Sequence, residues 1–153
     1  MTIKTLPFNE LSVHQLYQIL QLREKIFVLE QTCLYQDLDD LDQQALHTFL
    51  EIDGRIVAYA RVFYRNEAEG LVQIGRVIAE QTLRRQGFAT KVMQEAMQVA
   101  TRELHARQLY LEAQCYAIPF YEKLGFKVCS EEFLEDGIPH VKMIYNSIGS
   151  RIS

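Results

Sequence analysis

LVQIGRVIAEQTLRRQGFATKVMQEAMQVA, residues 71–100, is the stretch that decides the fold. Its first part, Leu71–Ile78, is rich in β-branched and aliphatic residues, which is typical of a buried strand. From Phe88 onward the spacing of the apolar residues changes to that of a helix, and they share one helical face: Phe88, Val92, Met93, Ala96, Val99 and Ala100. The stretch therefore predicts a strand, a short connection and a long helix.

The connection between this strand and this helix has basic residues followed by small ones, and its sequence is RRQGFA over residues 84–89. The first turn of a helix leaves backbone N–H groups unpaired, and the helix dipole favours negative charge there. Gly87 and Ala89 allow a phosphate to approach that backbone closely, while Arg84 and Arg85 add positive charge. The connection therefore predicts an anion-binding site at the start of the helix.

The pattern Arg84-x-x-Gly87-x-Ala89 resembles motif A of the GNAT superfamily of N-acetyltransferases, Arg/Gln-x-x-Gly-x-Gly/Ala, in the same place between a strand and a helix. The resemblance implies that this loop holds the pyrophosphate of acetyl-coenzyme A. It also implies that the end of the preceding strand pairs with the pantetheine arm. The implied cofactor-binding residues are Val77, Ile78, Ala79, Arg84, Arg85, Gln86, Gly87, Phe88, Ala89, Thr90 and Gln114.

Residues 114–126, QCYAIPFYEKLGF, are similar to a second signature of this superfamily, Asn-x-x-Ala-x-x-x-Tyr-x-x-x-Gly-Phe. Gln114 stands in place of the usual Asn, which keeps the amide and lengthens the side chain. Ala117 and Tyr121 are four residues apart, so a helix places the small residue beside the phenol. The resemblance implies that Tyr121 is catalytic and protonates the thiolate that leaves the thioester. The alternative is a tyrosine that only packs its helix.

The chemistry implied by the resemblance is direct attack of a primary amine on the acetyl carbonyl in a ternary complex, with no covalent enzyme intermediate. A tyrosine has a pKa near ~10, so it remains a proton donor at neutral pH. Backbone N–H groups near Ala79 are expected to stabilise the oxyanion. The base that deprotonates the amine stays open among Glu30, His47, Glu112 and His140, with a chain of water molecules as a further alternative.

Two further stretches resemble the ElaA-like branch of the superfamily: residues 22–39, beginning LREKIFVLEQ, and residues 135–140, EDGIPH. The resemblance implies that these stretches line the acceptor side of the site, with Arg23, Glu30, Gln31 and His140 near the acyl group. The alternative for Arg23 and Glu30 is an ordinary exposed pair on a helix. His47, which follows an acidic segment, is a further candidate on the substrate side.

That acidic segment crowds four aspartates into six positions: Asp37, Asp39, Asp40 and Asp42. An EF-hand is excluded because Leu41 stands where a ligand is required and Asp42 replaces the turn glycine. No metal site is expected here. The favoured interpretation is a solvated acidic loop beside a short helix. The alternative is a substrate loop that attracts a cationic amine.

Composition predicts one folded domain over residues 1–146 with a flexible tail over residues 147–153. Of the 153 residues 48% are hydrophobic and 24% are charged, which is typical of a globular chain. The net charge of -4 argues against a nucleic-acid partner. No apolar run approaches the ~20 residues that span a bilayer, so no membrane partner is expected. Three cysteines without an apolar leader favour reduced thiols and a cytoplasmic location.

The order of predicted elements is β, α, β-hairpin, β, α, β, α and a final β pair. It predicts an α+β fold with a mixed, mostly antiparallel central sheet and helices on both faces, as in the GNAT acyltransferase fold. The first helix is expected to start after a Ser12–Gln15 capping box and to run to about Leu29. The other expected strands are His47–Ile52, Arg55–Arg65, Leu109–Ala113, Phe126–Cys129 and His140–Tyr145.

The function that the resemblance implies is acetyl-coenzyme A-dependent N-acetylation of a polyamine-like or amino compound, a protein lysine or a protein N-terminus. A non-catalytic module that senses acyl-coenzyme A is the alternative. A nucleotide-binding protein is excluded because the chain lacks both Gly-x-x-x-x-Gly-Lys-Ser/Thr and Gly-x-Gly-x-x-Gly. A monomer and a homodimer through the late strands are both compatible with the sequence.

Overall fold

The computed structural model describes residues 1–80, 83 and 85–147. Within this part of the chain, eight strands form a single sheet in the order β1-β2-β3-β4-β5-β8-β6, with β7 paired to β8. The strands are β1 (Thr2–Pro7), β2 (Leu46–Ile52), β3 (Arg55–Asn66), β4 (Leu71–Ala79), β5 (Gln108–Gln114), β6 (Lys127–Val128), β7 (Phe133–Glu135) and β8 (Ile138–Asn146). The α-helices are α1 (Val13–Arg23), α2 (Phe88–Arg102) and α3 (Ile118–Lys123).

The predicted start of the first helix is confirmed. The Ser12 hydroxyl accepts from the backbone N–H of Gln15 at 3.0 Å, and the Gln15 side chain accepts from the N–H of Ser12 at 2.9 Å. The helix was expected to continue to about Leu29, but α1 ends at Arg23 and a π-helical segment, Glu24–Glu30, follows it. Wider π turns of this kind occur mostly as short segments, frequently at functional sites.

The two faces of the sheet are covered by different helices, which confirms the predicted fold class. On one face, α1 and the π-helical segment pack against side chains of β2, β3 and β4, with Ile19, Leu22, Ile26, Phe49, Tyr59 and Ile78 in the core. On the other face lies a larger core around α2 and α3, which includes Val62, Ile74, Val92, Met93, Ala96 and Leu111. The alternation of side chains along β3 supplies both cores.

The sheet divides at its centre, where β4 and β5 run parallel. These two strands pair only from Leu71–Gln73 against Gln108–Tyr110. The register with β3 shifts between Tyr59 and Arg61, and Arg76 in β4 has a positive φ of 51°. Such an irregularity bends a strand away from its neighbour. The parallel strands therefore separate beyond Gln73.

The late strands differ from the prediction in two places. The predicted strand Phe126–Cys129 contains only the two residues of β6, and β7 was not predicted. The predicted turn at Asp136 and Gly137 is present, with φ of 52° and 78°, and it joins β7 to β8. These angles match the two-residue hairpin turn that needs positive φ at both positions.

At the C-terminal end, Ser147 is buried and its hydroxyl donates to the carbonyl of Ala106 at 2.6 Å. Residues 148–153 lie outside the described residues, so the flexible tail at 147–153 stays a prediction. In the described part of the chain, no helix has the length and apolar character that crossing a membrane requires.

Candidate active site

A groove of about 1000 Å³ is lined on two sides by the separated strands β4 and β5. Residues 31–41, here called the roof loop, contribute to its lining together with the turn between β7 and β8. Two small residues, Ala89 of α2 and Ala117 before α3, also line it. The groove therefore lies where the division of the sheet removes a strand partner, and small side chains keep it open.

One end of the groove meets the N-terminus of α2. Gly87 is the N-cap of this helix, has a φ of 79° and supplies no side-chain cap to the first turn. A Cβ built on Gly87 has no neighbour within 4 Å, so the space beside this backbone is open. Arg85 and Gln86 are exposed before it, and Phe88 and Thr90 are half-buried in the first turn. No side-chain cap bonds to the first turn of α2 from its N-cap residue, and the N–H groups of such a turn, the helix dipole and a nearby arginine fit a phosphate group.

Arg84, the first residue of motif A, lies outside the described residues. The predicted pantetheine strand is described and lies in the groove, since Val77, Ile78 and Ala79 all line it. Ile78 and Ala79 pair with β3 on the side away from β5. Because the pairing with β5 has already ended at Gln73, this part of β4 borders the groove rather than another strand.

Tyr121 lines the groove from α3 and is also packed. Its ring meets Phe120 edge-on at 5.0 Å between centroids and Phe126 at 6.2 Å. Burial raises the pKa of Tyr121 above its usual value, so the phenol stays protonated at neutral pH. Among the described residues, its hydroxyl has no hydrogen-bond partner in the protein, which leaves the proton available to a ligand.

Gln114 and Gln31, predicted for the cofactor side and the acceptor side, meet each other. Each amide donates to the other, at 3.4 Å from Gln31 to Gln114 and at 3.3 Å in the reverse direction. Both side chains line the groove. The reciprocal amide pair therefore connects the roof loop to the end of β5.

The wall of the groove around His140 carries acidic side chains. The Nδ1 of His140 lies 2.7 Å from the carbonyl of Ile138, so Nδ1 carries a proton, and Nε2 lies 3.5 Å from a carboxylate oxygen of Glu135. Burial and the nearby Glu112 carboxylate raise the pKa of Glu135. Glu112 itself accepts a hydrogen bond from the Tyr110 hydroxyl at 2.7 Å. All but Tyr110 line the groove, so carboxyl groups and an imidazole border the same part of it.

Two of the four candidate bases do not line the groove. His47 is buried, with Nε2 donating to the carbonyl of Asp42 at 2.9 Å and Nδ1 accepting from the Tyr59 hydroxyl at 2.5 Å. Burial lowers the pKa of His47, in accord with a neutral ring in the interior. Glu30 is exposed at the end of the π-helical segment, outside the lining. Glu112 and His140 are the two candidates that the groove contains.

Arg23 is neither an exposed helix residue nor part of the groove lining. It is fully buried, and its guanidinium bonds to Asp37 at 2.8 Å and to Asp42 at 2.7 Å. Burial opposes the charge of Arg23, but Asp42 and Asp37 outweigh it and the pKa of Arg23 is raised. Both interpretations of Arg23 made from the sequence therefore give way to a third, a buried ion pair beneath the roof loop.

The expectation of a solvated acidic loop is wrong for three of its four aspartates. Asp37, Asp39 and Asp42 pair with arginines, whereas Asp40 is exposed. Two of the arginines, Arg61 and Arg76, stand inside strands, and this was the signal available in the sequence. A charge in a buried strand requires a partner. Within the described residues, no group of His, Cys, Asp and Glu side chains has the arrangement of a metal site.

Comparison with known proteins gives consistent results. Residues 15–147 match the model of the acetyltransferase (GNAT) domain. A UPF0039 protein of Schizosaccharomyces pombe is 41% identical over 138 residues, which cover 89% of this chain and 91% of the relative. Protein ElaA of Escherichia coli K12 is 39% identical over 140 residues, which cover 90% and 92% of the two chains.

Two solved structures share the architecture over nearly the whole chain. The crystal structure of Escherichia coli ElaA has a TM-score of 0.89 at 36% identity and covers 95% of this chain and 99% of its own. An acyl-CoA N-acyltransferase from Pseudomonas aeruginosa has a TM-score of 0.87 at 36% identity, with coverages of 94% and 98%.

Proposed function

We propose that this chain, which belongs to the GNAT acetyltransferase family as its motifs predicted, transfers the acetyl group of acetyl-coenzyme A directly to a primary amine. The observation that carries the proposal is the open groove of about 1000 Å³, with an uncapped helix N-terminus at one end and a protonated tyrosine on its wall. These two features fit the two ends of an acyl thioester with a pyrophosphate.

The described residues fit the cosubstrate in three places. The start of α2 at Gly87 offers unpaired N–H groups and open space to the pyrophosphate, with Arg85 nearby. Val77 and Ile78 lie beyond the end of the pairing with β5 and line the groove, where the pantetheine amides are proposed to pair with β4. Ala117 leaves room beside Tyr121 for the thioester. Binding of acetyl-coenzyme A along this path places its reacting carbonyl between Tyr121 and the roof loop.

In the proposed reaction, the amine nitrogen attacks the acetyl carbonyl and the carbon–sulfur bond breaks. Backbone N–H groups of β4 near Ala79 stabilise the oxyanion. The Tyr121 hydroxyl donates its proton to the departing sulfur. Holding amine and thioester together in one groove supplies much of the remaining rate. The products are coenzyme A and an N-acetylated acceptor.

The attacking amine must first lose a proton, and we assign this step to the His140 side of the groove. Because Nδ1 of His140 donates to the Ile138 carbonyl, its Nε2 is the nitrogen that accepts. Glu112 lines the same wall and can receive the proton directly or through water. Glu30 and His47 do not line the groove and are not part of this proposal.

The acceptor is proposed to be a cationic amine, such as a polyamine or a lysine side chain. The wall that holds Glu112, Glu135 and Asp136 also holds Arg65, 4.0 Å from Glu112, so its acidic side chains outnumber the basic one and favour a positive charge nearby. We also propose a cytoplasmic location, because Cys33, Cys115 and Cys129 are free thiols. Monomer and homodimer both stay open.

The test measures cosubstrate binding and transfer separately. Thermal shift with acetyl-coenzyme A reports binding, and thiol release reports transfer to putrescine, spermidine, Nα-acetyl-lysine and a peptide with a free N-terminus. Mass spectrometry of the acceptor then identifies the acetylated nitrogen. The proposal expects stabilisation and transfer to at least one amine. Stabilisation without transfer to any amine favours the non-catalytic sensor. The absence of both stabilisation and transfer would contradict the enzyme and the sensor alike.

A further inference from the structure

The roof loop is held by buried side-chain charges rather than by a helix or strand of its own. Between the π-helical segment and a short 3₁₀ turn, Asp42–Gln44, it forms no regular secondary structure. Yet Gln31, Tyr35, Asp39 and Leu41 line the groove. A loop with no internal ladder of hydrogen bonds needs other contacts to keep one conformation.

Asp37 supplies the central contact of this loop. Its carboxylate accepts from Arg23 Nε at 2.8 Å through one oxygen and from Arg76 Nε at 2.7 Å through the other. Its backbone carbonyl also accepts from Arg76, at 3.0 Å. The Asp37 side chain is 9% exposed. One buried carboxylate therefore joins the end of α1 to strand β4 through the roof loop.

The remaining charges of the cluster close around the same loop. Asp42 accepts from Arg23 at 2.7 Å and from Arg61 at 3.0 Å, and Asp39 pairs with Arg61 at 2.5 Å. Burial opposes ionisation of Asp42, but the two arginines outweigh it and lower its pKa. Three arginines face three aspartates, so the cluster carries no surplus negative charge to offer an amine.

Arg76 connects this ion-pair cluster to the groove. Arg76 lies in β4 with a φ of 51°, next to the segment Val77–Ala79 that is proposed to bind pantetheine. Its guanidinium lies 5.9 Å from the centre of the Phe27 ring, which also lines the groove. The Arg76–Asp37 pair is thus a direct link between the cosubstrate strand and the loop that faces it.

We propose that Asp37 is a positioning residue, which fixes the roof loop onto β4 through Arg76 and Arg23 and so shapes the acceptor side of the groove. This inference rests on the proposed function for what the groove receives. Asp37 does not line the groove, and the role proposed for its buried ion pairs is to specify one conformation of the roof loop. The competing explanation is that the loop attracts a cationic acceptor through its charge.

The two explanations differ for Asp37 and Asp40, which lie in the same loop. Asp37→Asn removes the buried pairs, whereas Asp40→Asn removes an equal charge from an exposed position that forms no ion pair among the described residues. Asn also tolerates the φ of 64° at position 40. Asp40→Asn is therefore the matched control.

The kinetic experiment uses spermidine, or the panel amine that is turned over if spermidine is not. For Asp37→Asn we expect the KM for the amine to rise about 10-fold or more, with the KM for acetyl-coenzyme A within about twofold. For Asp40→Asn both constants stay within about twofold. The amine KM of Asp37→Asn divided by that of wild type is expected to be equal in 0.05 M and 0.5 M salt, because salt screens exposed charges and hardly affects buried ones. Equal, salt-sensitive effects of both variants would overturn the proposal.

A second measurement is independent of activity. Chymotrypsin cleavage after Leu34 and Leu38, both exposed in the roof loop, reports how firmly the loop is held. We expect cleavage of Asp37→Asn to be at least 10-fold faster than wild type, while Asp40→Asn is unchanged. Unchanged cleavage in Asp37→Asn would contradict the proposal even if no amine is ever acetylated. If Asp37→Asn does not fold, Arg76→Gln, which keeps the Arg23–Asp37 pair, is read in its place.

Discussion

The proposed cosubstrate side and the proposed acceptor side of the groove are built by different means. On the first, backbone and small residues dominate: a helix N-terminus at Gly87, the strand edge Val77–Ala79, and Ala89. On the second, a loop without regular structure is fixed by ion pairs between Asp37, Arg23 and Arg76, which are distant in the chain. Local patterns specify the first side, whereas only the folded chain brings the second together.

The difference suggests a division of labour. A pyrophosphate and a pantetheine arm are the same in every acyl-coenzyme A, so fixed backbone donors suit them. Acceptors differ from one another, and loops vary in sequence more than the helices and strands that they connect. The following substitutions break or sharpen this comparison, beginning with the largest expected effect.

Replacing Tyr121 by Phe removes the hydroxyl that is proposed to protonate the leaving thiolate. We expect kcat to fall about 10²-fold, the usual size of general acid–base help, with little change in the KM for acetyl-coenzyme A. The matched control is Tyr145→Phe, because Tyr145 also packs on Phe126, at 5.7 Å, but does not line the groove. Equal losses in both variants would mean that the two phenols serve packing, and Tyr121 would leave the mechanism.

Gly87→Ala tests the backbone construction of the cosubstrate side. The φ of 79° strains any residue with a Cβ, by about 1–2 kcal/mol, and a shift of the turn displaces the N–H groups of α2. We expect the KM for acetyl-coenzyme A to rise about 10-fold, with the amine KM unchanged. Gly54→Ala is the control, since Gly54 has a φ of 77° in a remote hairpin turn. A larger effect on the amine would contradict the division between the two sides.

Much of the fold was predictable from local pattern, for reasons that particular residues show. The Ser12–Gln15 capping box marks the start of α1, and the change of apolar spacing at Phe88 marks the start of α2, as observed. The π-helical turns after Arg23 were not predicted, because the apolar residues of Glu24–Glu30 follow those of α1 without an interruption that marks a change of helix type. Strand β7 has only three residues, too few for a period to show.

The residues of the candidate site also differ in how far the sequence predicts them. Gly87, Ala89 and Tyr121 stand in recognisable spacings because short segments of backbone position them. Arg23 and Asp37 are 14 residues apart, and Arg76 and Asp37 are 39 apart, so no local pattern records either pair. The arginines in β3 and β4 are a sequence signal that was not used, and they do not tell which aspartates are their partners. That assignment depends on the sheet order and on the bend in β4.

Mild acid is expected to destabilise the fold through His47, which bonds to the backbone carbonyl of Asp42 at the end of the ion-pair cluster. Because its pKa is lowered in the fold, the unfolded chain, with a histidine pKa near ~6.5, binds this proton more readily. The contribution of His47 to the free energy of unfolding is therefore complete above about pH 6.5. It is lost as the pH falls below that value, by at most about 1.4 kcal/mol per pH unit. Urea unfolding between pH 5 and 7.5 measures it.

The control for this pH dependence is the histidine of α1. His47→Gln retains a donor and an acceptor but does not titrate, and it is expected to flatten the profile between pH 5 and 7.5. His14 is exposed, and His14→Gln is expected to leave the profile as in wild type. Asp39 and Asp42 cannot mimic the effect, because their arginine partners lower the pKa of both carboxyls, that of Asp39 to about 2, and these contributions are lost only below about pH 4. A profile that His47→Gln leaves steep would place the titrating group elsewhere.

The smallest effect is expected where the two sides touch, at the amide pair of Gln31 and Gln114. Gln114→Asn restores the residue usual in the second signature but shortens the arm, so the bonds of 3.3 and 3.4 Å to Gln31 are lost. One part-buried amide contact contributes about 1 kcal/mol, so we expect the amine KM to rise about fivefold. In a double-mutant cycle with Gln31→Ala, the second substitution should add little, because the contact is already gone. Additive effects would show that each glutamine contacts a substrate by itself, and the two sides would then meet through the ligands rather than through the protein.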